Sequence, residues 1–253
     1  MREDQIALQL YTVRGLAGRD LPGTLRRVAA AGYRAVEVAG LPPIAPAELR
    51  GLLDEAGLAV VAAHSSLADL RRDPDTTFDA LATIGSPRAI VPWLEPADRA
   101  TATGLRSVAA ELGRIAAAGA ARGIGVGYHN HAFEFEPVGG TTAWDVLLDT
   151  LPPTVDIELD VYWAAYAGRD PAGLIDALGD RVRLLHMKDM APGPGREDLP
   201  PGDGTLDWDA IIAAADRAGV DWFVVEQDEP GDDPIGAIGR GLDFLRSRAE
   251  AVT

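Results

Sequence analysis

Cysteine is absent from the 253 residues, which excludes disulfides, thiol nucleophiles and sulfur-ligated metals. That absence says nothing about compartment. Aromatic residues make up only 6% of the chain against 47% hydrophobic residues in total, so the core must be largely aliphatic. Positive charge is in deficit: 23 Lys and Arg face 39 Asp and Glu, a formal net charge of −16. Such a balance opposes binding to a phosphate backbone, which needs clustered cations, and fits a small, neutral or metal-masked substrate. No apolar run approaches the roughly 18 residues of a membrane span, and the chain opens Met1-Arg2-Glu3-Asp4-Gln5 without a signal-peptide core. The expectation is a cytoplasmic protein with no membrane and no nucleic-acid partner, its oligomeric state left open. Two catalytic signatures are missing as well, the Gly-x-Ser-x-Gly elbow and the phosphate-cradling P-loop.

What is present is a strict alternation of strand-like and helix-like segments. Strand patterns occur at 6–11, 34–39, 58–64, 89–93, 123–135, 155–160, 182–186 and 222–226, the fourth weakened by Pro92. Helical patterns follow them near 21–31, 46–57, 76–84, 101–122, 142–149, from 170, 206–218 and 234–249. Eight such units in this length argue for one closed (β/α)8 TIM barrel, an α/β single domain over residues 1–253. The competing architecture is an open doubly wound sheet. Its dinucleotide fingerprint is not found after the first strand, where Tyr11-Thr12-Val13-Arg14 stands.

A barrel of this kind places its chemistry at the C-terminal ends of its strands. All four histidines fall there: His64 ends the third strand, His129 and His131 the fifth, and His186 the seventh. In the fifth strand, Gly125 and Gly127 leave one face bare, and His129 and His131 continue that face under period-2 alternation. Alternation also sets Asp156, Glu158 and Asp160 on one face of the sixth strand. Glu226 closes the eighth after an apolar run, where a charge needs a partner. Glu37 lies within the second strand, as a substrate contact or as an inward charge paired with an arginine. Lys188 shares the face of His186, as an assistant at a reacting oxygen or as a rim lysine paired with Asp189. Trp163, three residues after Asp160, walls the pocket or packs outside it. In the Gly- and Pro-rich region that begins at Ala191, the loop from Pro200 to Trp208 either covers the site or only turns into the next helix. His129 or His131 with Asp160, His186 and Glu226 makes a mixed nitrogen and oxygen set suited to Mn²⁺, Zn²⁺, Co²⁺ or Fe²⁺.

Tyr128-His129-Asn130-His131, Leu159-Asp160-Val161-Tyr162-Trp163, Leu185-His186-Met187-Lys188-Asp189, Gly202-Asp203-Gly204-Thr205-Leu206-Asp207-Trp208 and Val225-Glu226-Gln227-Asp228 resemble motifs of the xylose isomerase-like TIM barrels. Within them the chain is similar to the sugar phosphate isomerase/epimerase family, with features of inosose dehydratases. The resemblance implies a divalent metal, Mn²⁺ first and Mg²⁺ also allowed, on Asp160, His186 and Glu226. The position of the family's first glutamate ligand carries His129, and the epimerases' histidine after the strand-six aspartate is replaced by Trp163. The implied reading is a metal-dependent sugar or keto-sugar isomerase/epimerase acting through an enediolate. Its metal is held by His129, Asp160, His186 and Glu226. Glu226, His131 and Lys188 are catalytic, and Glu37, His64 and Trp163 bind substrate. The alternatives are a keto-sugar dehydratase, a non-catalytic sugar-binding barrel and a DNA-repair endonuclease. The strand-five ligand is one of His129, His131 and Glu134.

Overall fold

The computed structural model describes residues 1–249. Eight parallel strands close into a barrel: β1 (Ile6–Gln9), β2 (Ala35–Val38), β3 (Ala59–His64), β4 (Arg88–Val91), β5 (Gly125–His129), β6 (Val155–Asp160), β7 (Val182–Met187) and β8 (Trp222–Val225). Each pairs with its neighbour in sequence, and the ring closes where Ile6 stands opposite Phe223 and Leu8 opposite Val225. The expected TIM barrel is therefore the observed fold.

Eight principal helices alternate with the strands: α1 (Leu21–Ala30), α2 (Pro46–Ala56), α3 (Pro74–Ile84), α4 (Ala102–Ala120), α5 (Ala143–Thr150), α6 (Pro171–Leu178), α7 (Trp208–Ala218) and α8 (Pro234–Arg248). Their boundaries are written in local chemistry. Asp73-Pro74, Asp170-Pro171 and Asp233-Pro234 each put a carboxylate on the free amides of the first turn and a ring at the first helical position. Gly57, Gly85 and Gly219 end α2, α3 and α7 in the left-handed conformation. Between the expected helices lie short ones, including Leu67–Arg72 and Val161–Tyr166, in loops at the C-terminal end of the barrel.

Three expected boundaries shift. β4 stops at Val91, because Pro92 has no amide to continue the ladder, and β5 stops at His129, so His131 lies just beyond the strand. α7 starts at Trp208 because Asp207 caps it.

Small and aliphatic side chains fill the barrel interior: Ala7, Ala35, Ala62, Ile90, Leu184 and Val224. Gly127 belongs with them for a steric reason. A Cβ there would lie 2.6 Å from Ile90 Cδ1. Two residues further along these strands, the same inward face carries Gln9, Glu37, His64, His129, His186 and Glu226. The crowded apolar layer thus forms the floor of a polar one. Gly127→Ala must push Ile90 off its position, and the expected cost is about 1–3 kcal/mol. Urea unfolding should show a lower midpoint with an unchanged slope.

Candidate active site

Two tiers of charge lie inside the mouth of the barrel. In the upper tier Lys188 Nζ is 2.8 Å from each of Asp160 Oδ2, Glu226 Oε2 and Asp228 Oδ2. Lys188 is the only lysine in the chain, and it is 1% exposed. In the lower tier Glu158 Oε2 is 3.1 Å from His64 Nε2, 3.2 Å from His129 Nδ1 and 3.2 Å from His186 Nε2. His186 joins the tiers, with Nδ1 at 2.7 Å from Glu226 Oε2 and Nε2 at 2.8 Å from Glu37 Oε2. Gln9 Nε2 donates to Glu37 Oε2 at 2.8 Å from below.

Burial and neighbours set the protonation of this cluster. Burial raises Glu37 to about 7, with Glu158 adding to the effect. Burial also raises Asp160, to about 6, although Lys188 and His186 pull the other way. For Glu226 the same burial is outweighed by the Lys188 and His186 charges, which hold its carboxyl well below the usual range. Burial disfavours the Lys188 ammonium and the His186 imidazolium, but their carboxylate neighbours hold both well above their ordinary values. His129 falls to about 3 through burial and the His186 charge. His131 falls to about 2 through burial, His129 and Lys188, so it stands as a neutral imidazole and not as a histidine titrating near its ordinary value.

Of the expected metal set, Asp160, His186 and Glu226 offer donor atoms within 4.8 Å of one another. His129 belongs instead to a second group with His64, Glu158 and His186, its Nε2 lying 3.9 Å from Asp160 Oδ2. Both groups mix imidazole with hard oxygen, and Glu158 Oε1 and His129 Nδ1 are buried without a hydrogen-bond partner. Uncompensated acceptors in a dry site suit a divalent cation. Glu134 faces elsewhere: it accepts from Tyr128 Oη at 2.5 Å and from the His131 amide at 2.8 Å, holding the turn after β5.

Other expected residues move as well. Glu37 is fully buried and meets Gln9, His64 and His186, with no arginine beside it, so it supports the cluster from below. Lys188 does not pair with Asp189. That carboxylate points away, accepting from the amides of Gly202, Gly204 and Leu206 at 3.0 Å and from Trp208 Nε1 at 2.6 Å. The Gly- and Pro-rich loop is thus tied to the strand end that carries His186 and Lys188. Asn130, which the sequence did not single out, accepts from the Asp160 amide at 2.9 Å and sets the β5 and β6 ends side by side. Glu158 was on the correct face by alternation, and only the convergence of three imidazoles marks it out.

Above the cluster a cavity of about 300 Å³ is lined by Tyr11, Trp93, His64, His129, His131, Glu226 and Asp228, among others. Trp93 is 44% exposed and meets His131 edge-on at 5.4 Å. Trp163 is half-buried, 5.7 Å from His131 and 5.8 Å from Lys188 Nζ.

The xylose isomerase-like TIM barrel family matches residues 25–248. The chain belongs to this family. Inosose dehydratase of Geobacillus thermodenitrificans (strain NG80-2) is 27% identical over 136 residues, 47% of this chain and 45% of that protein, so the chain matches less than half of that relative's length. A sugar phosphate isomerase/epimerase from Parabacteroides distasonis ATCC 8503 superposes with a TM-score of 0.80 at 24% identity, covering 96% of this chain and 93% of that one. The IolI protein with a bound zinc atom superposes at 0.77 with 14% identity, over 98% and 100% of the two chains. At these identities the superpositions establish the fold. Among the described residues no helix is long and apolar enough to cross a membrane.

Two predictions follow from the supports of the site. Asp189→Ala strands several donors at once, and at about 1–3 kcal/mol for each buried group left unpaired the loss should exceed 2 kcal/mol. Faster amide exchange in residues 190–207 than elsewhere would locate it. Burial raises Glu134 to about 8, so its protonated form is favoured in the folded state. Its contribution is complete below the unfolded pKa near ~4.3 and is lost as pH rises through 8. Glu134→Gln mimics the protonated acid. Relative to the variant, the parent should lose stability between pH 5 and 8 by up to about 1.4 kcal/mol per pH unit, measured by denaturant titration.

Proposed function

We propose that this protein is a divalent-metal-dependent isomerase or epimerase of a sugar or keto-sugar, moving an α-proton by way of an enediolate. The observation that carries the reading is the meeting of a neutral imidazole (His131) and a carboxylate (Glu226) at one small cavity above two groups of metal donors, with the buried Lys188 ammonium 2.8 Å from that carboxylate, outside the cavity lining. Cavities of this size and depth are the ordinary seats of small ligands. His131 and Glu226 both line the cavity, so the α-proton of a ligand held there has an acceptor within reach. Lys188, pinned by Asp160, Glu226 and Asp228, holds positive charge beside the developing negative oxygen and keeps Glu226 ionised as a base. Trp93 and Tyr11 offer ring faces to the apolar side of a sugar, and Trp163 closes the wall behind His131. His64 lines the cavity as well, at its base. A divalent ion, when bound on the donors around His186, supplies Lewis-acid polarisation of the substrate carbonyl. Neither lysine nor arginine lines the cavity, which supports a free sugar over a phosphorylated one.

A second reading, a keto-sugar dehydratase, is favoured by the relationship to inosose dehydratase. It shares the first proton transfer and then expels a β-hydroxyl. The test is incubation with free ketoses and keto-inositols in D₂O with Mn²⁺ or Zn²⁺ added. The expected result is one solvent deuteron at the α-carbon, abolished by chelation, and lowered roughly 10²–10⁴-fold in Glu226→Gln and in His131→Ala. A product lighter by one water assigns the dehydratase. Exchange at the full rate in both variants would remove these residues from the chemistry.

A further inference from the structure

The motif Val225-Glu226-Gln227-Asp228 brings two carboxylates to the cavity, and they differ in kind. Glu226 is buried, and its Oε2 meets both His186 and Lys188. Asp228 keeps 28% of its side chain exposed. Its Oδ2 lies 2.8 Å from Lys188 Nζ, and its Oδ1 has no hydrogen-bond partner among the described residues. Charge balance does not account for this second carboxylate. Lys188 already meets Asp160 and Glu226, so Asp228 adds net negative charge at the edge of the cavity.

The backbone around Asp228 is fixed from three sides. Asp198, itself buried, reaches from the loop after β7 and accepts from the Asp228 amide at 2.5 Å and the Glu229 amide at 3.3 Å. Thr12 Oγ1 accepts from the Gln227 amide at 2.9 Å. Arg14 Nη2 donates to the Asp228 carbonyl at 2.8 Å, and its Nη1 donates to the Tyr11 carbonyl at 3.0 Å. The same guanidinium lies 4.0 Å over the Tyr11 ring. Gly40 closes in on that ring: its φ is +66°, and a Cβ there would stand 2.6 Å from Tyr11 Cδ2. Tyr11, Gly40 and Asp228 all line the cavity. An aromatic ring and an open carboxylate oxygen are thus carried on one frame, which spans the seam between β1 and β8. Ring faces take the C–H side of a sugar, and a carboxylate takes a hydroxyl in a short, charge-assisted hydrogen bond.

Resting on the sugar-processing reading above, we propose that Asp228 is a specificity-determining residue that accepts one substrate hydroxyl through Oδ1, with Asp198 as its positioning residue. The ligand class is a polyol, open or cyclic, whose hydroxyl meets that oxygen. Lys188 engages Oδ2, so the acceptor presented to the substrate is a single atom. A sugar lacking the matching hydroxyl leaves that atom unpaired, and the site discriminates against it.

The experiment is calorimetric titration of the unaltered protein, with Mn²⁺ or Zn²⁺ added, using sugar alcohols, inositols and their monodeoxy analogues. These ligands have no carbonyl and undergo no α-proton transfer, so affinity is read apart from the chemistry. One analogue is expected to bind roughly 10–100-fold more weakly than its parent polyol, the worth of a hydrogen bond to a charged group. In Asp228→Ala the parent polyol should fall by about the same factor and that analogue no further, while the other analogues keep their gaps. Asp198→Ala should narrow the same gap in part, and Asp198→Asn, which keeps an acceptor oxygen for the two amides, should restore it. Selective ¹⁵N labelling of Lys188, the one lysine of the chain, gives a single ammonium signal that shows whether the site stays assembled in each variant. Gaps that are the same for every analogue in the unaltered protein and in Asp228→Ala overturn the proposal and leave Asp228 an anchor for Lys188. Absence of polyol binding to the unaltered protein overturns it as well. The sugar-processing reading is decided separately, by deuterium exchange at the α-carbon.

Discussion

Buried negative charge is the constraint that shapes this barrel. Glu37, Glu158, Asp160 and Glu226 are withdrawn from water inside its mouth, with the half-buried Asp228 beside them, and each must be matched by a cation, a proton or a donor. One ammonium and a ring of imidazoles answer that demand, and they do so in two separate layers. Lys188 holds the upper carboxylates ionised, and its own charge is kept by the same contacts. In the lower layer three imidazoles gather round the Glu158 carboxylate, and Glu158 Oε1 and His129 Nδ1 keep no hydrogen-bond partner. His186 touches both layers, so the protonation of one is felt by the other.

The scaffold supports this by strict economy of volume. Alanine, glycine and single aliphatic side chains fill the layer beneath the site, and the approach of Ile90 Cδ1 to position 127 leaves no room for even a methyl group there. A floor packed that closely gives the polar side chains one residue-pair higher little freedom to relax. The walls are fixed from outside as well. Asp189 gathers three loop amides and an indole, and Asn130 ties the end of β5 to Asp160. Such supports hold the side chains at these strand ends in place.

Much of this was legible in the chain. The alternation of eight strand and helix patterns led to the barrel, and the rule that chemistry sits at strand C-termini led to His64, His129, His131, Asp160, His186, Lys188 and Glu226, all of which the structure gathers at the mouth. Other features were not legible. Alternation put Glu158 on the inward face but could not rank it against Asp156, which pairs with Arg88 at the opposite end of the barrel. Lys188 had Asp189 next to it in sequence, and of its two readings the pairing with that neighbour fails because the two side chains take different partners. Glu37 looked as ready for substrate as for a structural pair, because burial depth is not encoded in a period-2 pattern.

Local sequence alone therefore determined the elements, their caps, the inward faces and the inventory of ionisable groups. These depend on backbone periodicity and on residues a few positions apart. The tertiary structure decided which of those groups share a partner. Strand stagger in the closed barrel sets the height of each side chain, and heights from β1 to β8 fix that His129 meets Glu158 while Asp160 meets Lys188. Contacts between residues 28 to 149 positions apart, such as Gln9 with Glu37 and Glu37 with His186, follow from closure of the ring and from no pattern along the chain.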